Sequence, residues 1–192
     1  MLTLPFGLQA QNTEKMPISV SYFGNLGIHP GTKISLYKDL VQINKTKKNG
    51  NLIMKSLTVV PSISLYNHAK SRTGLILGSD LSWIRTGKWN FFIGPSLGLN
   101  YYGMFNSGDT WVVEGGIASQ KGNSVRGYFA PSFSYTYGKN IKNIGIYTRL
   151  NSHFLMGYNS TTLPELSLEL GVKFTPSFSL NKGKIKEINK TR

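Results

Sequence analysis

The odd positions of segment 89–105 are almost all large and apolar, and the even positions include Asn90, Gly94, Ser96, Gly98 and Asn100. This pattern restricts the fold more than any other feature of the chain. Apolar residues occupy its odd positions, which are Trp89, Phe91, Ile93, Pro95, Leu97, Leu99, Tyr101, Gly103 and Phe105. Because successive side chains of a strand point to opposite faces, one face of this segment is apolar over roughly 55 Å. A strand that crosses a bilayer obliquely needs only about 9 to 11 residues, with aromatic side chains at both interfaces. The segment is therefore predicted to be a transmembrane β-strand.

The same pattern recurs along the chain. One alternating segment is weak evidence, but several of similar length together predict a fold. It gives eight predicted strands, at about 16–26, 32–43, 52–67, 72–85, 89–105, 125–137, 144–156 and 166–178. Eight strands leave an interior that side chains just fill. The predicted fold is all-β, an eight-stranded antiparallel up-and-down transmembrane β-barrel with a side-chain-filled lumen. Its lipid-facing aromatic residues are predicted to be Trp89, Phe91, Tyr101, Phe105, Phe129, Phe133, Tyr135, Tyr137, Phe174 and Phe178.

Turn residues indicate how the predicted strands are connected. Segments 86–88 and 138–140 contain the glycine and asparagine that tight hairpins favour, whereas 106–123 and 157–163 are predicted to be longer loops. Short periplasmic turns and longer outer loops are the usual asymmetry of outer-membrane barrels. The sequence therefore predicts an integral protein of the cell outer membrane with both termini in the periplasm.

The two ends of the chain are assigned separately from the barrel, which is predicted over 11–180. Residues 1–10 are apolar and end in a small residue, like the last part of a secretory signal peptide cut after Ala10. A basic stretch is missing there, so either the true start codon lies upstream of Met1 or the segment is an apolar tail. Residues 181–192 are predicted to be a basic periplasmic tail, disordered because it is polar and charged.

The net charge of +14 is distributed unevenly in this topology. The predicted periplasmic ends of the strands hold Lys45, Lys47, Lys48, Arg85, Lys88, Lys139 and Lys142. This collar either attracts anionic lipid headgroups, at about 1 kcal/mol per residue, or is a solvated flank. Nucleic acid is not predicted as a partner, because the basic residues are not interleaved with aromatic ones on one module. The predicted partners are membrane lipids, lipopolysaccharide and a larger outer-membrane protein.

Several short motifs resemble segments of a known family. They are YFGN at 22–25, HPGTKI at 29–34, YNH at 66–68, TGL at 73–75 and GYFAPS at 127–132. In this order they resemble a small eight-stranded outer-membrane β-barrel protein family typical of Bacteroidetes, over roughly residues 19–138. Ala10-Gln11 also resembles the signal cleavage site in that group. The resemblance implies an outer-membrane barrel and implies no activity.

The candidate functional residues are polar side chains that should point into the lumen. They are Asp80, Asn100, Arg126, Arg149, Asn151, His153, Glu169 and Lys173. Charges buried in a narrow lumen must be paired, and the predicted register places Arg149 diagonal to Glu169. The set is therefore predicted to be a packed polar core. No cofactor or metal site is predicted, because the three histidines are far apart in sequence and the chain has no cysteine.

Two pairs of residues are candidates for the catalytic groups of a lipid A deacylase-like enzyme. Ser152 and His153, with Glu169 as the carboxylate, are adjacent and should point to opposite faces, which is wrong for a nucleophile and its base. His68 and Ser71 lie at a predicted loop without an orienting carboxylate. The His and Ser two apart on one strand face, which such deacylases carry, are absent.

The predicted function is that of a structural or accessory outer-membrane barrel, non-catalytic, with membership of a larger envelope complex as one form of this role. A lipid-modifying enzyme and a soluble all-β binding protein are the alternatives. The apolar segment 110–114 in an outer loop either folds back on the rim of the barrel or docks a partner.

Overall fold

The computed structural model describes residues 16–25, 29–46, 52–68, 72–106, 110–114, 117–121, 124–158 and 161–176. Strands make up most of this part, and a short 3-10 helix, Lys88–Asn90, precedes β6. The strands are β1 (Ile18–Asn25), β2 (Gly31–Leu36), β3 (Lys38–Thr46), β4 (Leu52–His68), β5 (Arg72–Thr86), β6 (Phe91–Asn106), β7 (Thr110–Glu114), β8 (Ile117–Lys121), β9 (Ser124–Ile141), β10 (Ile144–Tyr158) and β11 (Thr161–Phe174). Among the described residues, no helix is both long enough and apolar enough to cross a membrane.

The strands close into a ring in which neighbours along the chain pair antiparallel. Around the ring the order is β1, then β2 together with β3, then β4, β5, β6, β9, β10 and β11. The ring is closed by antiparallel pairing of β11 with β1, from Phe174 opposite Ile18 to Ser167 opposite Asn25. β2 and β3 act as two halves of one strand, because both pair with β4 and they meet at Tyr37. Counted over the described residues, the ring has eight strand positions. The predicted up-and-down barrel is confirmed.

The two ends of the barrel differ in their connections. One end, here called the base, holds both ends of the described chain, the 3-10 helix between β5 and β6, and the turn at 142–143 between β9 and β10. The opposite end, here called the mouth, carries a hairpin in which β7 pairs with β8. The side chains of this hairpin lie outside the described part of the structure, so both interpretations of segment 110–114 stay predictions.

The barrel is polar inside and apolar outside, the reverse of a protein that folds in water. In β6 every even residue from Phe92 to Met104 is buried, whereas Leu97 and Leu99 on the outer face are each 65% exposed. Serine, threonine and charged side chains make up much of the buried set. Water-soluble proteins bury such side chains rarely and do not cover their surface with leucine and phenylalanine.

Two predicted boundaries are wrong. Residues 138–140 were predicted to be a turn, but they continue β9, and the reversal lies at 142–143, where Lys142 adopts a positive φ of 55°. Gly138 is instead a point of close packing, since a Cβ there would collide with the ring of Phe92 and the carbonyl oxygen of Ile146. β11 begins at Thr161, earlier than predicted, and ends at Phe174, so most of the predicted loop 157–163 is strand.

The predicted lipid-facing aromatics lie mostly where alternation places them. The outer face exposes Tyr101, Phe105, Phe129, Phe133, Tyr135, Tyr137 and Phe174. Trp89 lies in the 3-10 helix and not in a strand, and it is 70% exposed. Phe91 is half-buried because its ring stacks on Tyr137, with the ring centroids 5.9 Å apart. Phe178, the predicted signal peptide 1–10 and the basic tail 181–192 lie outside the described residues.

Candidate functional site

Four charged side chains form a connected network in the middle of the lumen, here called the central tier. Lys33 Nζ donates to Glu169 Oε2 at 3.1 Å and lies 4.0 Å from Asp80 Oδ2. Arg149 Nη2 donates to the same Asp80 oxygen at 2.7 Å. All four side chains are buried, and Glu169 is only 1% exposed. Two cations face two anions, so the tier is neutral.

The partners in the central tier lie on strands that are not adjacent. β10, which carries Arg149, is separated from the β5 strand of Asp80 by β6 and β9. β1 lies between the strands of Lys33 and Glu169, and β4 lies between those of Lys33 and Asp80. The Arg149–Asp80 pair therefore reaches across the lumen, and Lys33 connects it to Glu169 over the intervening strands.

Hydroxyl groups complete the hydrogen bonding of the central tier. Glu169 Oε1 accepts from Tyr147 Oη at 2.6 Å and from Ser21 Oγ at 2.8 Å. Arg149 Nε donates to Ser134 Oγ at 2.9 Å. A buried ion pair is tolerated only where such additional bonds satisfy its remaining donors and acceptors.

A second charged layer, here called the mouth tier, crosses the lumen nearer the mouth. Arg72 Nη2 on β5 donates to Glu165 Oε1 on β11 at 3.1 Å, between strands on opposite sides of the ring. Tyr102 Oη donates to the other oxygen of Glu165 at 2.6 Å. Arg72 Nη1 also contacts Met104 Sδ at 3.8 Å. The lumen is thus closed at two levels.

Aromatic rings fill the space beside the two tiers. The Tyr66 ring packs against those of Phe23 and Tyr102. His153 makes edge contacts with Phe23 and Tyr102, at 6.2 and 6.4 Å between centroids. Neither ring nitrogen of His153 has a hydrogen-bond partner among the described residues. His153 therefore packs as an aromatic ring and not as a positioned base.

The lumen widens toward the base into a cavity of about 80 Å³. Its walls include Tyr37, Asp39, Phe92 and Arg149. The Lys173 ammonium also borders it and lies 4.7 Å from the Phe92 ring centroid and 5.2 Å from that of Tyr37. Cation–π contacts of this kind stabilise a partly desolvated ammonium. The cavity ends at the central tier, which separates it from the mouth.

The residues predicted from the sequence to form one lumen network divide into groups. Asp80, Arg149 and Glu169 meet in the central tier, although Arg149 and Glu169 lie directly opposite each other in register and not diagonally. The two side chains do not pair with each other. The long guanidinium of Arg149 reaches across the lumen to Asp80, and Glu169 pairs with Lys33. Asn100 Nδ2 donates to Ala130 O and Ser132 Oγ.

The other predicted lumen residues lie away from the central tier. Asn151 is buried in the lumen wall near His153, and Lys173 borders the base cavity. Arg126 was predicted to point into the lumen, but it is exposed at the mouth because it lies near the end of β9, opposite Met104.

The sequence interpretation missed Lys33, Arg72, Tyr102 and Glu165. Each has the inward phase of its strand, so alternation alone could have placed it in the lumen. What alternation does not give is which inward residues meet across the lumen.

The two pairs weighed as catalytic groups are not assembled in the described residues. Ser152 and His153 lie on opposite faces of β10, and the carboxylate opposite His153 in register is Glu165, not Glu169. The His68 ring packs against that of His29, with the centroids 3.7 Å apart and the planes tilted by 33°, and Ser71 lies outside the described residues. Within the described part of the chain, no group of three or more His, Cys, Asp or Glu side chains could hold a metal ion.

The contact between His29 and His68 leads us to expect a pH dependence at the mouth. Partial burial lowers the pKa of His29 from its ordinary 6.5, and His68 and Arg72 lower it further while Glu165 opposes them. The folded mouth therefore favours neutral His29, so its stability should be present above pH 6.5 and fall as the pH drops below this value. The amide of Asn67, which donates to Pro30 O at 3.0 Å, should exchange faster at pH 5 than at pH 7.5 after correction for intrinsic rates. In His29→Gln this pH dependence should vanish. An unchanged pH dependence in that variant would contradict the assignment.

Comparison with known proteins finds similarity of fold alone. No family model matches the sequence, and no curated protein matches it. Neisserial surface protein A is similar in structure with a TM-score of 0.51 and 9% identity, over 83% of this chain and 95% of that one. The outer membrane enzyme PagL gives a TM-score of 0.46 at 11% identity, over 82% of this chain and 98% of that one. The β domain of the Bordetella autotransporter BrkA gives 0.38 at 10% identity, over 82% and 68%. The chain thus has the fold of small outer-membrane β-barrels.

Proposed function

We propose that this protein is an integral outer-membrane barrel with a structural or accessory role, which neither conducts solutes nor catalyses a reaction. The apolar outer face supports the membrane location, since only a lipid environment favours exposing Leu97, Leu99 and their neighbours while burying Asp80 and Glu169. This inverted polarity also argues against a soluble binding protein. Membrane lipids surround the barrel, and a larger outer-membrane protein is its proposed partner.

The observation that carries this proposal is that ion pairs between non-adjacent strands connect the lumen wall at two levels. A barrel of this size has room for side chains and not for an aqueous channel. The buried carboxylates are occupied by Lys33, Arg149, Arg72 and hydroxyl donors, so they serve packing.

The orientation that we propose places the base in the periplasm and the mouth outside. It is supported by the short turn at 142–143 at the base and by the β7–β8 hairpin at the mouth, since outer-membrane barrels have short periplasmic turns and longer outer loops. Both termini are then periplasmic.

A non-catalytic role is supported by the geometry of β10. Ser152 faces away from the lumen while His153 is buried among aromatic rings, so no proton can pass directly between them. Purified protein should therefore not release fatty acid from lipid A in mixed micelles, and His153→Phe should fold like the parent. Fatty-acid release that is lost in His153→Phe would support the enzyme alternative.

Planar bilayers test the closed lumen. Refolded protein, shown to be folded by its heat-modifiable mobility on gels, should give no stable ohmic current, because both tiers cross the lumen. The double variant Asp80→Ala with Arg149→Ala should also be silent, because the mouth tier still closes the barrel. Reproducible conductance steps from the parent protein would overturn the closed-lumen proposal.

A further inference from the structure

Two basic residues lie side by side on the outer face near the base. Lys55 on β4 is directly opposite Arg85 on β5, and both side chains are exposed. They point outward, because their neighbours Ser56 and Ile84 line the base cavity. Like charges directly opposite each other on a sheet destabilise it. A bound anion beside the two side chains would relieve this repulsion.

The barrel supplies no such anion in its described part. The described acidic side chains of the ring strands, Asp39, Asp80, Glu165 and Glu169, line the lumen or the base cavity. Neither Lys55 nor Arg85 has an ion pair with any described residue. The other described cations near the base add to the field, with Lys139 Nζ 5.0 Å from the Phe91 ring centroid and Lys88 Nζ 4.8 Å from that of Trp89.

An apolar surface begins beside the pair and continues toward the mouth. Trp83 follows Arg85 on the outer face of β5 and is opposite Leu57 on β4, and Leu81 is next on the same face. A phosphate held by the two cations would thus have its acyl chains beside Trp83 and Leu57. A lipid with an anionic headgroup and apolar acyl chains matches both the two cations and the apolar surface beside them.

We propose that Lys55 and Arg85 form a binding site for the phosphate of an anionic phospholipid whose acyl chains lie along Trp83. This inference rests on the proposed membrane location and adds a preferred lipid to it. With the base in the periplasm, the site faces the inner leaflet of the outer membrane. Arg85 offers a planar fork for phosphate oxygens, and Lys55 a point charge.

Fluorescence of Trp83 tests the site in the full chain. Trp89→Phe with Trp111→Phe leaves Trp83 as the single tryptophan of the sequence. The protein is refolded into phosphatidylcholine vesicles that contain phosphatidylglycerol with brominated acyl chains, which quench a neighbouring indole. Phosphatidylglycerol should be enriched next to Trp83 about fivefold or more over its bulk fraction at low salt, as two basic residues near a surface allow. The enrichment should fall at 1 M salt.

Charge reversal of one residue separates binding from folding. Lys55→Glu removes the like-charge pair and places an acidic residue opposite Arg85, so the barrel should fold while the enrichment falls to about onefold. Arg85→Glu is the mirror variant. Lys142→Glu, at the exposed turn between β9 and β10, changes the net charge equally and should keep the enrichment.

Three results would overturn the inference. They are equal enrichment in Lys55→Glu and the parent, loss of enrichment in Lys142→Glu as large as in Lys55→Glu, or displacement of phosphatidylglycerol by lipid A at a lower concentration than by unlabelled phosphatidylglycerol. Failure of the folded parent to insert into any vesicle would instead contradict the proposed membrane location, so the two failures are distinguishable.

Discussion

Arg149→Met should lower the free energy of unfolding by about 3–5 kcal/mol, because it leaves a buried carboxylate without its closest cation. Arg149 Nη2 lies 2.7 Å from Asp80, whereas Lys33 is 4.0 Å from the same oxygen and is already bonded to Glu169. Lys33 is therefore a poor substitute. Reversible urea unfolding in lipid vesicles, followed by tryptophan fluorescence, measures the loss.

The matched control removes both partners. Arg149→Met with Asp80→Leu replaces the pair by apolar groups and should be far less destabilising than Arg149→Met alone, since no charge is left buried and unpaired. Equal destabilisation by the single and double variants would show that Arg149 acts through packing and not through its pairing with Asp80.

Leu97→Arg should cost about 2–4 kcal/mol, the penalty for a basic side chain on the lipid face near the bilayer midplane. Leu97 is 65% exposed on the outer face, halfway along β6. Urea unfolding of the barrel in vesicles measures the change. Ser96→Ala, which points inward, should cost only about 1 kcal/mol, because it loses the hydrogen bond to Ser82 Oγ.

Depth provides a second control for Leu97→Arg. Ile141→Arg places the same charge on an exposed residue at the end of β9, beside the turn at the base, where the penalty should be about 0–1 kcal/mol. Equal costs at positions 97 and 141, or a barrel that is monodisperse in water without detergent, would contradict a lipid-facing surface.

Alternation was sufficient to predict the fold because the two faces of each barrel strand meet different surroundings, apolar outside and a packed polar lumen inside. Which face of β6, β9, β10 and β11 points outward can be read from exposed apolar side chains such as Leu97, Phe133, Leu150 and Leu168. Turn chemistry was less informative. Gly138 resembles a turn residue, but its lack of a side chain serves the packing of Phe92. Pro164 lies within β11 although proline usually interrupts a strand.

The charged tiers could be predicted only in part, for a geometric reason. Register relates residues on neighbouring strands, so it put Arg149 near Glu169. The actual partners lie across the lumen, where a contact depends on strand tilt and side-chain reach. Lys33 lies on β2, a strand from which no lumen residue was predicted. The phase of β2 gives its direction but not its partner.

The seam between the first and last strands has a consequence for the order of folding. Glu169 on β11 bonds Ser21 and Lys33, which are 148 and 136 residues away in sequence, so these contacts form only when the ring closes. Before closure, Tyr147 on the neighbouring β10 can already donate to Oε1, but Oε2, which accepts from Lys33, must stay hydrated, because an unpaired charge is costly to bring into lipid. A chain with a misaligned first strand would reach the membrane with Glu169 still charged and unmatched. The cost of burying the unpaired Glu169 carboxylate therefore disfavours insertion of a barrel whose first and last strands are unpaired or out of register. Correct pairing of these strands is favoured before the barrel enters the membrane.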